Sequence, residues 1–281
     1  YLRIAEGCSH TCSFCLIPKL RGRLRSRPPR SVIAEAKDMA SRGVREINLV
    51  AQDTTMYGKD LKESVGIEDL LELLVGIPGI HWIRLLYCHP NRISSRLLDL
   101  MESEDVLCPY LDLPLQHIHP GILQAMGRPF QAESPRDLIG RIRARRRRIA
   151  IRTTLMVGFP GETEPLFQQL CDFVSEVRLD HVGVFAFQPE KGTRASRMHP
   201  TVDPSEARAR VDRIMEIQRG ISLGYHEALV GKTVPVLVEG LCPETELLLC
   251  GRTKEMAPEV DGQVLINKGR GTAGKIMPVR I

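Results

Sequence analysis

The stretch that decides the fold is the start of the chain, residues 2–15, which reads Leu2-Arg3-Ile4-Ala5-Glu6-Gly7-Cys8-Ser9-His10-Thr11-Cys12-Ser13-Phe14-Cys15. Its first residues predict a short buried strand. Three cysteines with the spacing C-x₃-C-x₂-C follow directly, in the loop at the carboxyl end of that strand. Active sites of parallel α/β barrels lie at this end of the strands. The order of strand and cysteine loop therefore predicts a site built around three thiolates.

Three thiolates within eight residues can hold one face of a metal centre. A [4Fe–4S] cube with three cysteine ligands leaves one iron open for a substrate or cofactor. A structural zinc site is closed by a fourth ligand, which His10 or a distant cysteine could supply. The spacing favours an iron–sulfur site, with structural zinc as the alternative.

Beyond the cysteines, apolar runs alternate with helical patterns. Strands are predicted at 2–5, 46–51, 82–87, 110–115, 149–157 and 181–187, and helices near 31–42, 67–76, 94–102, 134–147 and 163–177. Ser31 is a candidate N-cap of the first helix, and Gly43 lies at its stop position. Strands that alternate with helices imply parallel strands joined by right-handed crossovers. Six such units favour a partial (β/α)6 barrel, and a six-stranded doubly wound sheet is the competing layout.

The pattern changes near residue 200. A long helix is predicted over 204–230, and alternating apolar residues with many glycines follow it. That second pattern is typical of a small all-β barrel. A length of 281 residues agrees with about two domains. We expect an α/β catalytic domain with its trailing helix over 1–222, and the β-module over 223–281.

The charges and the other cysteines are unevenly distributed. Two runs without acidic residues, 19–30 and 141–148, hold twelve of the 39 basic residues; the rest of the chain has 27 basic and 34 acidic residues. This distribution predicts local anion sites rather than a surface that coats polyanions. The run at 141–148 is expected to be a solvated helix end, with RNA contact as the alternative. Five scattered cysteines are expected to be buried, inert thiols: Cys88, Cys108, Cys171, Cys242 and Cys250.

Several segments, together with Phe14 before the third cysteine, resemble the radical S-adenosylmethionine methylthiotransferase family. They are Ala5-Glu6-Gly7-Cys8, Ile17-Pro18, Arg21-Gly22, Arg25-Ser26-Arg27 and Val157-Gly158-Phe159-Pro160-Gly161-Glu162-Thr163. The β-module resembles the OB-like TRAM domain of that family. The resemblance implies that Cys8, Cys12 and Cys15 bind a [4Fe–4S] cluster, whose open iron takes S-adenosylmethionine.

Two subgroups of the family modify different substrates. The segment Leu49-Val50-Ala51-Gln52-Asp53-Thr54-Thr55-Met56-Tyr57-Gly58 resembles the RimO subgroup, which has Asp-Thr-Thr where the tRNA-modifying subgroup has Asn-Val-Asn. The segment 257–262 resembles RimO as well. This likeness implies methylthiolation of the β-carbon of an aspartate in small-subunit ribosomal protein S twelve. The alternative is a tRNA methylthiotransferase that acts on a modified adenosine.

The charge of the β-module agrees with a protein substrate. Residues 228–281 hold seven basic and six acidic residues, whereas a module that grips tRNA is expected to be clearly basic. Glu255, Glu259 and Asp261 lie close together in the sequence and suit a basic protein partner.

The resemblance also implies the chemistry and further site residues. An aliphatic C–H bond has no useful acidity, so a 5′-deoxyadenosyl radical rather than a side-chain base would abstract the hydrogen, and no catalytic residue beyond the cluster ligands is expected. The candidates for binding S-adenosylmethionine are polar residues or glycines on strands or at their carboxyl ends: Gln52, Asp53, Gln116, His117, Arg152, Gly158, Gly161 and Glu162.

The chain departs from the family pattern at its N-terminus. Members of the family have an N-terminal domain whose three further cysteines hold a second [4Fe–4S] cluster, and we expect that domain to lie outside the 281 residues. An electron donor is also implied. We expect a cytoplasmic location without membrane association. A zinc-stabilised, non-catalytic RNA-binding protein is the alternative from another class.

Overall fold

The computed structural model describes residues 1–63, 65–131 and 133–281. The strands are β1 (Leu2–Arg3), β2 (Ala5–Glu6), β3 (Arg25–Ser26), β4 (Glu46–Val50), β5 (Trp82–Leu85), β6 (Leu107–Asp112), β7 (Ala150–Val157), β8 (His181–Ala186), β9 (Thr233–Cys242), β10 (Thr245–Arg252), β11 (Val264–Ile266) and β12 (Ile276–Arg280). The helices are α1 (Ile17–Leu20), α2 (Pro29–Ser41), α3 (Ile67–Val75), α4 (Ser95–Ser103), α5 (Pro120–Ala125), α6 (Pro135–Arg143), α7 (Glu164–Val177) and α8 (Pro204–Glu227). None of the helices in these residues has the length and apolar character that a membrane span requires.

Six parallel strands form the main sheet, in the order β1-β4-β5-β6-β7-β8. Each strand pairs with the next one of the sheet along the chain, so the strand order never reverses. A doubly wound sheet reverses its order at a switch point and carries helices on both faces. Here α2, α3, α4, α6 and α7 all pack into one core on one face of the sheet. The partial barrel is therefore confirmed, and the doubly wound alternative was wrong.

Local signals set most helix starts. The Ser94 hydroxyl accepts from the Leu97 amide at the start of α4, and Asp203 accepts from the Ser205 amide before α8. Ser134 and Asp137 cap α6 reciprocally, which is a capping box. The predicted cap at Ser31 was wrong, because Pro29 begins α2 one residue after Pro28, and Ser31 lies inside the helix.

The opposite face of the sheet has a different cover. Alternation along β5 directs Ile83 and Leu85 into the helix-covered core, and Trp82 and Arg84 to the other side. On that side Trp82, Cys108, Tyr110 and Ala150 pack against Leu237 and Ala257 of the C-terminal module. The module therefore closes a face that parallel strands cannot leave exposed to water.

The C-terminal module is a four-stranded antiparallel sheet in the order β11-β10-β9-β12. Cys242 and Cys250, on the paired strands β9 and β10, form a disulfide with a Cα–Cα distance of 5.1 Å. The expectation that both are inert thiols was wrong, because only the hairpin register brings them together. Cys88, Cys108 and Cys171 are buried free thiols, as expected.

Buried charges connect the module to the barrel. Glu46 on β4 bonds to Arg84 on β5 at 3.2 Å and to Arg252 on β10 at 2.6 Å, and at least 94% of each of these three side chains is buried. Arg152 on β7 bonds to Asp261 at 2.5 Å, and Asp261 also accepts from the Tyr110 hydroxyl at 2.7 Å. These contacts fix the position of the module against the sheet.

The second arginine run, residues 141–148, is expected from the sequence to be a solvated helix end. In the structure its side chains instead bond to other parts of the chain. The helix α6 ends at Arg143, and all six arginines have partners within the chain. Those partners are Glu133 for Arg141, the Arg178 carbonyl for Arg143, Asp99 for Arg145, Glu102 for Arg146, three backbone carbonyls for Arg147, and Asp180 and Glu255 for Arg148. The sequence could not reveal this, because most of the partners lie more than 30 residues away.

Candidate functional site

A cavity of about 410 Å³ opens at the carboxyl ends of the first four parallel strands. The cysteine loop forms one wall, through Cys8, Cys12 and Cys15. The other walls come from the segments after β4, β5 and β6 and from the turn after α5. They contribute Ala51, Gln52, Asp53, Tyr87, Cys88, His89, Pro114, Gln116 and Arg128.

Two glycines let the cysteine loop adopt its path. Gly7 has φ +77°, and a Cβ there would lie 2.2 Å from the Arg23 carbonyl oxygen. Gly127 has φ +70°, and a Cβ there would lie 2.9 Å from the Thr11 carbonyl oxygen. A side chain at Gly7 would therefore clash with the backbone against which the cysteine loop begins, and one at Gly127 would clash with the loop itself. The Ser13 amide also donates to the Met126 carbonyl at 2.8 Å, which anchors the loop to the turn after α5.

Asp53 connects the cysteine loop to the sheet. One carboxylate oxygen lies 2.7 Å from Nε2 of His10, and the other accepts from the Thr55 amide at 3.0 Å and from its hydroxyl at 2.5 Å. Burial opposes ionisation of Asp53, but these hydrogen bonds outweigh it and lower the pKa of the carboxyl below its ordinary value. The His10 ring stacks on His89 at 4.5 Å. Asp53 therefore holds His10 between two of the cysteines.

The two threonines after Asp53 hold the end of the neighbouring strand. The Thr54 hydroxyl donates to the Leu86 carbonyl at 2.8 Å, and its amide donates to the Tyr87 carbonyl at 3.0 Å. The Thr55 hydroxyl accepts from the His89 amide at 3.2 Å. The Asp-Thr-Thr segment thus joins the cysteine loop and the ends of β4 and β5 in one hydrogen-bonded unit.

Two cavity residues have strained backbones. Tyr87 has φ +57° and Gln116 has φ +68°, in the left-handed region that non-glycine residues rarely adopt. Tyr87 is held there by its amide, which donates to Asp112 at 3.0 Å, and by the Thr54 contact. Strain of this kind is found preferentially at functional sites. Both residues follow parallel strands and line the same cavity.

Arg128 places a positive charge beside the cysteines. Its Nη1 lies 3.6 Å from Cys12 Sγ, and its Nη2 donates to the Pro114 carbonyl at 3.0 Å. Burial, together with the nearby Arg128 guanidinium, lowers the pKa of His89 to about 3, so this ring is neutral at pH 7. The cavity therefore presents one fixed positive charge beside the thiols.

The donor set fits an iron–sulfur cube. Cys8, Cys12 and Cys15 are free and partly exposed to the cavity. Burial raises the pKa of the Cys8 and Cys15 thiols, and a bound metal would replace their protons. In the described part of the chain, no three His, Cys, Asp or Glu side chains are grouped as ligands of one metal ion. A cube instead takes each thiolate on a different iron, so its ligands surround a volume.

Comparison with family models identifies the class of protein. The model of the Radical SAM superfamily matches residues 2–174, and the model of the TRAM domain matches residues 230–281. The chain therefore belongs to the radical SAM superfamily of enzymes, with a TRAM domain after the barrel. Membership implies a [4Fe–4S] cluster and S-adenosylmethionine as cofactors.

Curated relatives narrow the comparison. The ribosomal protein uS12 methylthiotransferase RimO of Syntrophobacter fumaroxidans is 49% identical over all 281 residues, and those of Pelobacter propionicus and Geobacter sulfurreducens are each 46% identical. The chain covers 62–63% of the length of these relatives. It therefore corresponds to less than two thirds of each of these relatives.

Solved structures share the fold. Coproporphyrinogen III oxidase (HemN) from Escherichia coli has a TM-score of 0.55 at 15% identity, over 90% of this chain and 66% of that chain. The radical S-adenosylmethionine methyltransferase TsrM from Kitasatospora setae has a TM-score of 0.54 at 20% identity, over 66% of this chain and 36% of that chain. At these identities the likeness concerns the fold alone.

Of the predicted cofactor-binding residues, Gln52, Asp53 and Gln116 line the cavity, and the others do not. His117 is fully buried, and its Nε2 lies 3.7 Å from the Glu162 carboxylate. Burial lowers the pKa of His117 to about 4, so the ring is neutral at pH 7. The structure therefore does not place His117 among the residues that could reach a ligand in the cavity.

The glycine-rich segment after β7 has a structural role in this arrangement. Glu162 accepts from the Gly158 amide at 3.1 Å and from Arg210 on α8 at 2.7 Å. Gly158 has φ +71°, and a Cβ there would lie 2.6 Å from the Ala207 side chain. Gly158 and Glu162 thus fasten the trailing helix to the barrel, and Gly161 donates its amide to the Pro200 carbonyl, before that helix, at 2.9 Å. None of the three lines the cavity.

Arg152 does meet a carboxylate, but not one in the cavity. Its guanidinium bonds to Asp261 of the TRAM domain, as described above, so its charge is already compensated. The expectation that it contacts a cofactor carboxylate is not supported by this placement. The alternation of β7 explains the difference, because Arg152 lies near the start of the strand, on the face that the module covers.

Sequence reasoning missed Tyr87, His89 and Arg128. Tyr87 and His89 lie at or just beyond the end of the strand predicted at 82–87, so the rule that selected Gln52 would have selected them too. Arg128 had no such signal. It reaches the cysteines only because α5, which the sequence did not predict, turns the chain back toward them.

Proposed function

We propose that this chain is the radical-generating part of a ribosomal protein uS12 methylthiotransferase. The observation that carries the proposal is the group of three free cysteines on one wall of a cavity at the carboxyl ends of the strands. Identities of 44–49% over all 281 residues to relatives named RimO support the choice of substrate. The Asp-Thr-Thr segment supports it as well, because it resembles the RimO subgroup and its Asp53 lines this cavity.

Cys8, Cys12 and Cys15 would each hold one iron of the cluster, and Gln52, Asp53 and Gln116 would contact S-adenosylmethionine. When bound, the two groups supply the radical chemistry that an unreactive C–H bond requires. The protein's own contribution is position. Asp53 holds His10 and the cysteine loop, and the strained Tyr87 and Gln116 direct their side chains to the reacting volume.

We assign the remaining parts of the reaction to regions outside this chain. A second [4Fe–4S] cluster, which supplies the sulfur, would be held by cysteines in the part of the relatives that the chain does not cover. An electron donor would reduce the first cluster.

In this proposal residues 1–222 form the catalytic domain and residues 223–281 the TRAM domain, although α8 continues through the boundary to Glu227. The protein would act in the cytoplasm, where it would meet its ribosomal protein substrate on the small ribosomal subunit.

The charge argument for a basic protein partner changes in the structure. Asp261 is buried against Arg152, and Glu255 is paired with Arg148 and Tyr225, so Glu259 is the exposed acid of that group. The far edge of the TRAM domain, residues 262–281, holds four basic residues and no acidic residue. This edge favours a polyanion. It is the observation that keeps a tRNA methylthiotransferase as the second candidate.

Two experiments test the proposal. Anaerobic reconstitution followed by iron, sulfide and zinc analysis is expected to give about four irons and four sulfides per chain. One zinc and no sulfide would instead identify a zinc-stabilised RNA-binding protein. The reconstituted chain is also expected to cleave S-adenosylmethionine without completing sulfur insertion.

The substrate is tested with the full-length parent protein. It is incubated separately with ribosomal protein uS12 and with tRNA, and both products are examined by mass spectrometry. The methylthio mass increment is expected on the ribosomal protein. An increment on tRNA alone would refute the uS12 assignment and leave the radical chemistry intact.

A further inference from the structure

A second polar cavity lies at the opposite end of the strands from the cysteines. Its volume is about 500 Å³, and it is bounded by the turns before β7 and β8 and by α8. Three arginines line it: Arg143, Arg148 and Arg178. None of these residues belongs to the cysteine cavity, so this cavity is separate from the proposed active site.

The charges around this cavity are not balanced. Arg148 is compensated by Asp180 and Glu255, whose carboxylates it contacts. Arg143 donates to the neutral Arg178 carbonyl at 2.9 Å, and the described residues offer neither Arg143 nor Arg178 an ion pair. Three cations therefore face two anions, with a net charge of about +1. Burial lowers the pKa of Arg143, and the nearby Asp180 carboxylate, which Arg148 also contacts, offsets this only in part.

The backbone brings these cations together at a cost. Arg178 ends α7 with φ +45°, a left-handed conformation that glycine or asparagine usually supplies at this position. Its guanidinium lies against α8 at Gly224, where a Cβ would lie 3.6 Å from Nη2. The fold thus accepts a strained arginine where glycine or asparagine would be easier to accommodate.

We propose that this second cavity is a phosphate-binding site formed by Arg143, Arg148 and Arg178. Planar guanidinium groups match the oxygens of a phosphate through paired hydrogen bonds. A singly charged phosphodiester neutralises the excess of one positive charge. The phosphate group is the shared chemistry of two sources, an RNA backbone and a small phosphorylated molecule. The site does not depend on the cysteine cavity or on the identity of the enzyme's substrate.

Calorimetric titration of the reconstituted protein with inorganic phosphate tests the site. Saturable binding is expected, and Arg178→Gln and Arg143→Gln should each weaken it by roughly tenfold, through loss of one charge-assisted hydrogen bond. Arg178→Lys should recover part of the affinity. Arg208→Gln, on the exposed surface of the same α8, is the matched control and should bind as the unchanged protein does.

Each outcome has a defined meaning. No saturable binding, or an equal loss in Arg208→Gln, overturns the site. A parallel titration with pentauridylate distinguishes the sources. If Arg178→Gln weakens both ligands alike, the site accepts RNA backbone phosphate; if only inorganic phosphate binds, it accepts a small phosphate group. Thermal midpoints without ligand identify any variant that fails to fold, and Arg143→Gln then replaces Arg178→Gln.

Discussion

The two arginine-rich runs look alike in the sequence and differ in the structure. In the run at 19–30, five of the six basic residues are exposed, and among the described residues Arg23 and Arg30 make no side-chain hydrogen bond or ion pair. In the run at 141–148, every arginine bonds to another part of the chain. The first run follows the cysteine loop, and the second joins α4, the turn before β8 and the TRAM domain.

The difference extends to the two ends of the sheet. At the carboxyl ends of the strands, polar side chains surround a cavity. On the covered face, charged side chains compensate one another across the domain interface. Substitutions near the cysteines should therefore change chemistry and leave stability nearly intact, whereas substitutions at the interface should do the opposite. The following experiments test that contrast, from the largest expected effect to the smallest.

The largest effect is expected at the cluster. Cys12→Ser should reduce cleavage of S-adenosylmethionine to background, because a cluster ligand is lost. The free energy of unfolding of the metal-free protein should change by less than about 1 kcal/mol, since the side chain is outside the core. Cleavage is followed by chromatography of the products, and urea unfolding gives the stability. The control is Cys108→Ala, at a buried thiol that does not line the cavity, and it should bind as much iron as the unchanged protein does. Normal cleavage by Cys12→Ser would contradict the role of Cys12 as a cluster ligand.

The next effect is expected at the interface. Glu46→Gln leaves Arg84 and Arg252 without their shared carboxylate, and should lower the free energy of unfolding by about 3–5 kcal/mol. The control is Asp38→Asn, which removes an exposed ion pair with Arg42 and should cost at most about 0.5 kcal/mol. Urea denaturation measures both. Equal effects of the two variants would show that burial does not distinguish them.

A smaller effect is expected beside Cys12. Arg128→Met removes the cation 3.6 Å from its sulfur and should lower the reduction potential of the cluster, because positive charge favours the reduced form. Cleavage should slow by roughly tenfold, the low end for groups that contact metal ligands. Redox titration monitored by electron paramagnetic resonance gives the potential. Arg23→Met, in the exposed run, is the control. An unchanged potential in Arg128→Met would contradict the assigned role.

The smallest effect is expected at Asp112, between the cavity and the interface. Burial raises the pKa of this carboxyl, so the folded state binds its proton more tightly than the unfolded state does. This contribution to stability is present at low pH and is lost as the pH rises through the raised pKa. Asp112→Asn can still accept from the Tyr87 amide and should lack that loss. Its stability relative to the unchanged protein should therefore be higher at pH 7 than at pH 4. Unfolding curves at both pH values check the sign.

Much of the architecture could be predicted from local pattern. The six strands and the long helix were found because apolar periodicity depends on neighbouring residues. The cysteines, Gln52 and Gln116 were found because parallel strands present their carboxyl ends on one side. Asp53, predicted as a cofactor contact, lines the cavity, and its two oxygens also bond to His10 and Thr55. Its position was predictable, but its partners were not.

The sequence by itself determined the alternation of strands and helices, the three thiols and the edge of the sheet at which they lie. Only the tertiary structure decided which charged side chains and which cysteines are paired. Arg152 and Asp261, Glu46 and Arg252, and Cys242 and Cys250 are paired by the register of strands and by the docking of one domain on the other. Backbone periodicity is set within a few residues, whereas the charges of Arg152 and Glu46 are compensated by groups more than a hundred residues away.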